Sequence, residues 1–389
     1  MNRKSIFFLL YSMNVGGVEK SLINLLSVLP QEIYDVHVGL VHPEGDFLSF
    51  LPTGVSLHHV TDISDHWEEL NKPPLHTIFN FLLSGRILKS LYALIVYLIC
   101  KLRGSFMGWV QYVLKDTKGI ERPYDIAVAY AGPSSDVDYY ICNKVCANKK
   151  IGWIHFDVDK VGRDSKLINK LYCNYEQIVA VSESCRIKFT NAFPQFEEKT
   201  IVYNNIVSPK LILSQAENAN TFKTSSCSKK LLTVGRISKE KGQIVAIDAL
   251  RILVGKGYDV VWYFVGDGND RKACEQKALN LGVMERAVFL GTQTNPYGYM
   301  RDCDVYVQPS RYEGYCVTIL EALCFNSPIV ATNFTSIHEQ LKERQNGFVV
   351  GMSAEEIADG IEKALVSPII ENVCKIRNFG VANKLEMIF

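Results

Sequence analysis

Ser5-Ile6-Phe7-Phe8-Leu9-Leu10, followed by Asn14-Val15-Gly16-Gly17-Val18-Glu19-Lys20, is the stretch whose reading sets the fold. A short apolar run bounded by turn-forming residues reads as a strand buried on both faces. After the glycine pair, Leu22, Leu25, Leu26 and Val28 recur at helical spacing. Strand, glycine turn and helix in that order open a nucleotide-type α/β unit. Working outward, further strands are predicted at 34–41, 126–130, 150–154, 177–181 and 201–203. Residues 214–230 are rich in Ser, Thr, Asn and Lys and read as a linker or exposed loop. A second series follows, with strands at 230–234, 260–265, 287–290, 304–308 and 328–332 and helices at 244–254, 271–281 and 317–324. Two doubly wound α/β domains facing across a cleft are the expected assembly, with ligand sites at the carboxyl ends of the strands. The first is predicted over 1–208 and the second over 209–368, with a helix over 369–389 packing back on the first.

A chain of 389 residues exceeds one ordinary core, which agrees with two domains. Apolar residues make up 48% and charged residues 21%, a globular composition without a disordered block. The net charge of +1 argues against a nucleic-acid binder that relies on bulk basicity. Eleven cysteines are scattered without a Cys-x-x-Cys pair, as expected of free thiols in a reducing cytosol. The apolar run Ile6 to Leu10 after Arg3 and Lys4 is too short for a signal-peptide core, so a cytoplasmic location is expected.

Three loops carry candidate chemistry. Leu231-Leu232-Thr233-Val234-Gly235-Arg236 is a buried strand ending in Gly–Arg, and Ile237-Ser238-Lys239-Glu240-Lys241-Gly242 leads into a helix. Arg236 offers a bidentate fork and Lys241 a point charge, a pairing that can neutralise a diphosphate. Phe264-Val265-Gly266-Asp267-Gly268 ends another strand in a glycine turn, and Arg271 stands where a dinucleotide fingerprint needs its third glycine. In Arg311-Tyr312-Glu313-Gly314-Tyr315-Cys316-Val317-Thr318-Ile319-Leu320-Glu321, two carboxylates are separated by seven residues across a glycine turn that enters a helix. Carboxylates accept from hydroxyl pairs and a helix start attracts phosphate, which suits a sugar joined to a nucleotide.

Together these pieces resemble a known family. Val234-Gly235-Arg236 with Lys241-Gly242, then Val265-Gly266-Asp267-Gly268, then Gln308-Pro309-Ser310-Arg311 with Glu313 and Glu321, follow the order and spacing of the retaining glycosyltransferase family four, which has the GT-B fold. Gly16-Gly17-Val18-Glu19, Gly152-Trp153-Ile154-His155, Val181-Ser182 and Asn204-Asn205-Ile206 match its N-terminal half. The resemblance implies that Arg236 and Lys241 hold a donor diphosphate and offset the charge that grows on it, with Gly235 and Gly266 in the adjoining turns. It implies that Glu321 accepts from the ribose hydroxyls and Glu313 contacts the donor sugar. Amides around Tyr315, Cys316, Val317 and Thr318 would meet sugar and phosphate. Gly16 and Gly17 would let the first-domain backbone approach the diphosphate, and His155 would sit near the reacting sugar. The implied reaction moves a hexose or N-acetylhexosamine from a nucleotide sugar, UDP-linked on family frequency, to a saccharide or lipid-linked oligosaccharide of a capsule, exopolysaccharide or lipopolysaccharide. No metal or other cofactor is expected. Cys316 and Ser327 depart from the small or glycine residues frequent in the family, both modestly.

Residues 72–115 interrupt this pattern. They contain no acidic residue, and Arg86, Lys89, Lys101 and Arg103 stand among Phe79, Leu82, Leu91, Tyr92 and Trp109. The apolar stretch 91–100 is far short of the roughly 20 residues needed to span a bilayer. A basic amphipathic insertion of this kind suits an anionic membrane surface, here the inner face of the plasma membrane. The competing reading is an insertion packed on the first domain with a solvated basic edge. Asp157-Val158-Asp159 forms an Asp-x-Asp after His155 and is read as acceptor-side or structural, and His58-His59 and His338 as packed or solvated histidines. Two other functions fit a GT-B chain: a nucleotide-sugar epimerase, and a non-catalytic sugar-nucleotide-binding scaffold.

Overall fold

The computed structural model describes residues 3–156, 158, 164–222, 228–342, 346–367, 385, 388 and 389. The chain forms two compact units: the first comprises Met1–Asn14, Leu26–Asn204 and Ala382–Phe389, the second Val15–Leu25 and Asn205–Val381.

The first unit is built on seven strands: β1 (Lys4–Leu10), β2 (Tyr34–Leu40), β3 (Ser56–His59), β4 (Ile120–Gly132), β5 (Val145–Ile154), β6 (Gln177–Ala180) and β7 (Thr200–Val202). Their order in the sheet is β3-β2-β1-β4-β5-β6-β7, with every neighbouring pair parallel. β1 is the core strand the sequence indicates, and Ile6, Phe7, Phe8 and Leu9 are fully buried. β3 escapes the sequence reading because Ser-Leu-His-His at a sheet edge alternates between half-buried and exposed and so shows no apolar run. Phe389 belongs to this unit, its ring 5.9 Å from that of Phe8 and 6.1 Å from that of Tyr34. Most of the helix expected over 369–389 lies outside the described residues.

The second unit has six strands: β8 (Lys229–Val234), β9 (Val260–Val265), β10 (Ala287–Gly291), β11 (Val305–Gln308), β12 (Ile329–Thr332) and β13 (Gly347–Val350). Their order is β10-β9-β8-β11-β12-β13, again parallel throughout. Both sheets therefore have the doubly wound order expected of Rossmann-like domains. β13 falls outside the strands predicted from sequence, since it is a four-residue edge strand whose residues are all only partly buried and whose apolar run, Phe348-Val349-Val350, is short. The expected linker is partly structured. The helix Pro209–Glu217 takes its first residues, and β8 begins at Lys229. Ser208 caps that helix through Leu211 N–H, and its packed face carries Ile212 and Ala216, an amphipathic signal that the polar residues around it obscure.

The segment 72–115 folds as three helices, Pro74–Leu83, Ile87–Arg103 and Met107–Leu114, in the first unit. Trp109 anchors the third, with its indole N–H donating to the Glu69 carbonyl at 2.8 Å. Among the described residues no helix is long and apolar enough to cross a membrane.

Candidate functional site

In each sheet the winding reverses at one point, β1 beside β4 in the first unit and β8 beside β11 in the second. Open α/β sheets bind ligands at the carboxyl ends of such strands, because the loops diverge there and leave a crevice. β8 ends at Val234 and delivers Gly235-Arg236; β11 ends at Gln308 and delivers the loop that carries Glu313.

The local backbone sets both sides of that crevice. Gly266 stands at φ 137°, and a Cβ there would lie 2.1 Å from the Gly235 carbonyl oxygen, so two turns pack backbone to backbone. Gly242, at φ 71°, closes the turn Lys239–Lys241 against Pro309, whose carbonyl oxygen a Cβ would meet at 2.0 Å. Lys241 is thereby held against the β11 loop. Its Nζ lies 2.7 and 2.8 Å from the two carboxylate oxygens of Glu313. Burial pulls the Lys241 pKa down, and the Glu313 carboxylate outweighs that pull, leaving it above its ordinary value. Arg236 differs: its side chain is 70% exposed and only 3.8 Å from Glu240. An exposed pair of that length is weak, so the guanidinium is available to an incoming anion.

Behind Glu313 runs a hydrogen-bonded chain that the sequence reading did not assign. The Ser310 hydroxyl donates to Glu313 Oε1 at 2.7 Å and accepts from Gln308 Nε2 at 2.9 Å. Gln308 Oε1 in turn accepts from Tyr306 and Thr318 at 2.8 and 3.2 Å. Gln308 and Ser310 are each 1% exposed, so every donor in this chain matters. Gln308-Pro309-Ser310 was legible as a motif, but its supporting role depends on which way each side chain turns.

Glu321 sits on the helix Val317–Ala322 and is 4% exposed. The Tyr297 hydroxyl donates to its Oε1 at 2.7 Å, and Lys20 Nζ lies 3.6 Å from the same oxygen. Burial holds the Glu321 pKa above its ordinary value, and Lys20 and Tyr297 offset only part of that rise. Lys20 comes from the segment Val15–Leu25, which groups with the second unit and carries Gly16 and Gly17 with it. Ser21 of the same segment donates to Asn205 at 2.6 Å, and Asn205 Nδ2 donates to the Tyr315 carbonyl at 3.1 Å. Neighbouring Glu19 has a pKa raised to about 6 by burial, with Arg236 partly offsetting the rise. The structure thus brings Gly16, Gly17, Arg236, Lys241, Glu313, Tyr315 and Glu321 into one unit. The Cys316 N–H donates to Gln340 Oε1 at 3.2 Å and its carbonyl accepts from Gln340 Nε2 at 2.8 Å, so this amide is already engaged. Val317 and Thr318 open the helix beyond it. Burial, reinforced by Glu313, pushes the Cys316 thiol up to about 12, where it is inert.

His155 follows β5 in the first unit. It is 6% exposed, its backbone N–H donates to the Gly132 carbonyl at 3.2 Å, and its Nε2 is buried without a hydrogen-bond partner among the described residues. Burial drives its pKa from 6.5 to about 3, so the ring is neutral near pH 7. Between those values the unfolded chain binds a proton that the folded chain refuses. Stability from this group is therefore whole above pH 6.5 and is lost as pH falls towards 3. His155→Gln is expected to flatten the acid side of the stability–pH curve, by up to about 1.4 kcal/mol per pH unit. Urea melts across pH 4 to 8 check this; parallel curves for the two proteins would contradict it.

Asp157 and Asp159 lie outside the described residues. His58 Nε2 pairs with His37 Nδ1 at 2.8 Å, and His338 Nε2 with Asn333 at 3.0 Å, as expected of packed or solvated histidines. Among the described residues no three His, Cys, Asp or Glu side chains cluster as metal ligands would.

Two Rossmann-like parallel-sheet domains with this site define the GT-B class, the fold of the structures that the chain resembles. It superimposes on Anabaena Alr3699/HepE, a structure in complex with UDP and glucose, with a TM-score of 0.66 over 98% of this chain and 97% of that one at 20% identity. A glycosyltransferase from Rickettsia africae gives 0.61 over 94% and 88% at 17% identity. Residues 215–378 match the family described as Glycosyl transferases group 1, and that stretch falls within the second unit. Among curated relatives, an uncharacterized glycosyltransferase of Methanocaldococcus jannaschii is 29% identical over 52% of this chain and 55% of its own. One from Haemophilus influenzae is 25% identical over 57% and 61%. The chain thus spans little more than half the length of these relatives. An N-acetylgalactosamine-N,N'-diacetylbacillosaminyl-diphospho-undecaprenol 4-alpha-N-acetylgalactosaminyltransferase of Campylobacter jejuni is 24% identical over 86% and 82%.

Proposed function

We propose that the chain is a retaining glycosyltransferase that moves a hexose or N-acetylhexosamine from a UDP-sugar to a saccharide or lipid-linked oligosaccharide in surface-glycan synthesis. The observation that carries this is the convergence of Arg236, Lys241, Glu313 and Glu321 at the β8/β11 reversal of a group 1 glycosyltransferase domain. Cations at the ends of these loops suit a diphosphate, and paired carboxylates suit hydroxyls. The Lys241–Glu313 pair holds both groups in place until the donor's phosphate and sugar take them up as separate partners.

In this reaction the acceptor hydroxyl attacks the anomeric carbon on the face that the nucleotide leaves, through an oxocarbenium-like state. The departing phosphate oxygen takes the acceptor's proton, so no carboxylate of the chain acts as nucleophile. Arg236 and Lys241 offset the charge that grows on the leaving diphosphate, and neutral His155 is the group assigned to the reacting sugar. No resident metal is assigned to the step. The UDP in the complex of Alr3699/HepE and the diphospho-undecaprenol in the name of the Campylobacter relative support the two substrates. Thermal-shift screening with UDP-, GDP- and ADP-sugars, followed by NMR of the product's anomeric centre, tests the reading. An inverted product, or stabilisation by none of the donors, would overturn it.

A lipid-linked acceptor implies work at the inner face of an anionic membrane, and the helices Pro74–Leu83 and Ile87–Arg103 support that reading. They expose Leu83 (71%), Leu88 (84%) and Leu102 (87%) beside exposed Arg86, Lys89, Lys101 and Arg103, with no acid among 72–115. Monomeric proteins rarely leave so much apolar surface open, and basic flanks add roughly 1 kcal/mol each at an anionic surface. The full chain is expected to float with phosphatidylglycerol vesicles at low salt and to lose that binding in a Leu88→Glu, Leu102→Glu variant. Equal flotation of both proteins, or of neither, would remove the membrane from the proposal.

A further inference from the structure

Glu321 is nearly sealed from water, yet its assigned work, accepting from two hydroxyls, requires a charged carboxylate with oriented lone pairs. A carboxylate buried this deeply tends to take up a proton unless a partner prevents it. The second unit supplies a partner through Lys20. Its Nζ is 3.6 Å from Glu321 Oε1 and 4.9 Å from the centroid of the Tyr297 ring, a cation resting on an aromatic face. Tyr297, 1% exposed, ties the cluster together, since its hydroxyl donates to the same Glu321 oxygen at 2.7 Å. Lys20 reaches this point from the first turn of the helix Gly17–Val28, where its N–H donates to the Gly16 carbonyl at 3.0 Å. Both side chains of the ion pair are largely covered, 14% and 5% exposed, so solvent screens the attraction little.

We propose that Lys20 is a positioning residue. Its ammonium, seated on the Tyr297 ring, keeps Glu321 a charged, oriented acceptor for the paired hydroxyls of a bound nucleotide. The inference rests on the donor-site reading above and assigns a role to the residue after Gly16-Gly17-Val18-Glu19. Lys20 and Tyr297 use Glu321 Oε1, and the second oxygen, Oε2, is the one offered to the ligand. Other titratable groups interacting with Glu321 are Tyr306 on β11, whose hydroxyl donates to Gln308, and Tyr297 itself, which also senses Cys324. None of these is a cation, so the positive charge in this set is that of Lys20.

Two measurements on the full chain test this. A carboxyl-carbon NMR titration of glutamate-labelled protein, with the Glu321 signal assigned by its loss in Glu321→Gln, reads the carboxylate directly and needs no ligand. Lys20→Met is expected to move the Glu321 midpoint upward and Lys20→Arg to restore it; an unchanged midpoint in Lys20→Met overturns the inference. Calorimetry with UDP then reads the consequence. Lys20→Met is expected to weaken binding at least about tenfold at pH 6 and less at pH 8, with Lys20→Arg close to the parent, as when one partner of a buried pair is removed. A parent chain that binds no UDP would count against the donor reading, and the carboxyl titration would still decide the role of Lys20. A pH-independent loss in Lys20→Met, unrelieved by arginine, would show a merely structural residue and overturn the proposal.

Discussion

Lys241→Ala is expected to lower glycosyl-transfer turnover at least about 10²-fold, the scale of losing one key charge-stabilising donor in a preorganised site. The structure adds a second consequence. Lys241 and Glu313 are only 21% and 11% exposed at their side chains, so removing the ammonium leaves a poorly solvated carboxylate. Breaking a buried pair in this way costs roughly 3–5 kcal/mol at full burial, and less here because part of the pair meets water. Arg236→Ala separates the two effects. Its side chain is 70% exposed, so turnover is expected to fall on the same scale while the urea midpoint stays within error of the parent. Steady-state transfer assays beside urea melts of both variants provide the check. Near-parental turnover in both would refute the assignment of these cations to the leaving diphosphate.

The second large effect is expected at Gly266. At φ 137°, with the Gly235 carbonyl oxygen 2.1 Å from where a Cβ would stand, any side chain forces apart the two turns that end β8 and β9. Gly266→Val is expected to cost about 3 kcal/mol of stability, from backbone strain and steric overlap together. Gly17 serves as the control, because a Cβ there meets nothing within 4 Å; Gly17→Ala is expected to fold like the parent. Equal melting of Gly266→Val and the parent would show that the turns can separate at no cost. Activity in Gly17→Ala then reports on close approach of a ligand to this backbone, independently of folding.

The aromatic and apolar strands were legible because a parallel strand covered on both faces must be apolar throughout. Ser5 to Leu10 and 260–265 show this, and Trp262 and Phe264 are buried to 1% or less. β3 and β13 were not, since short edge strands need few apolar residues: β3 has a single leucine among polar residues and β13 a run of only three. The linker reading failed at 214–217, the last turn of the helix Pro209–Glu217, because one buried face of two residues is too little signal against a polar background. At the site, the four charged residues of the donor reading could be named from spacing. Lys20, Tyr297, Gln308 and Ser310 could not be given roles, because a lysine or serine in a sequence carries no record of which carboxylate it faces.

The fold class and the positions of the glycine turns follow from the residues alone, because strand burial and turn geometry are local requirements written into short runs of residues. How the loops after those turns are wired depends on the folded packing. It set Lys241 on both oxygens of Glu313, ran a chain of hydroxyl and amide groups behind that pair, and placed Lys20 between Glu321 and a tyrosine ring. The reason is that hydrogen bonds and ion pairs between side chains depend on distances fixed by the packing of whole sheets and helices. Residues 20, 297 and 321 are far apart along the chain and meet only when the second unit has folded.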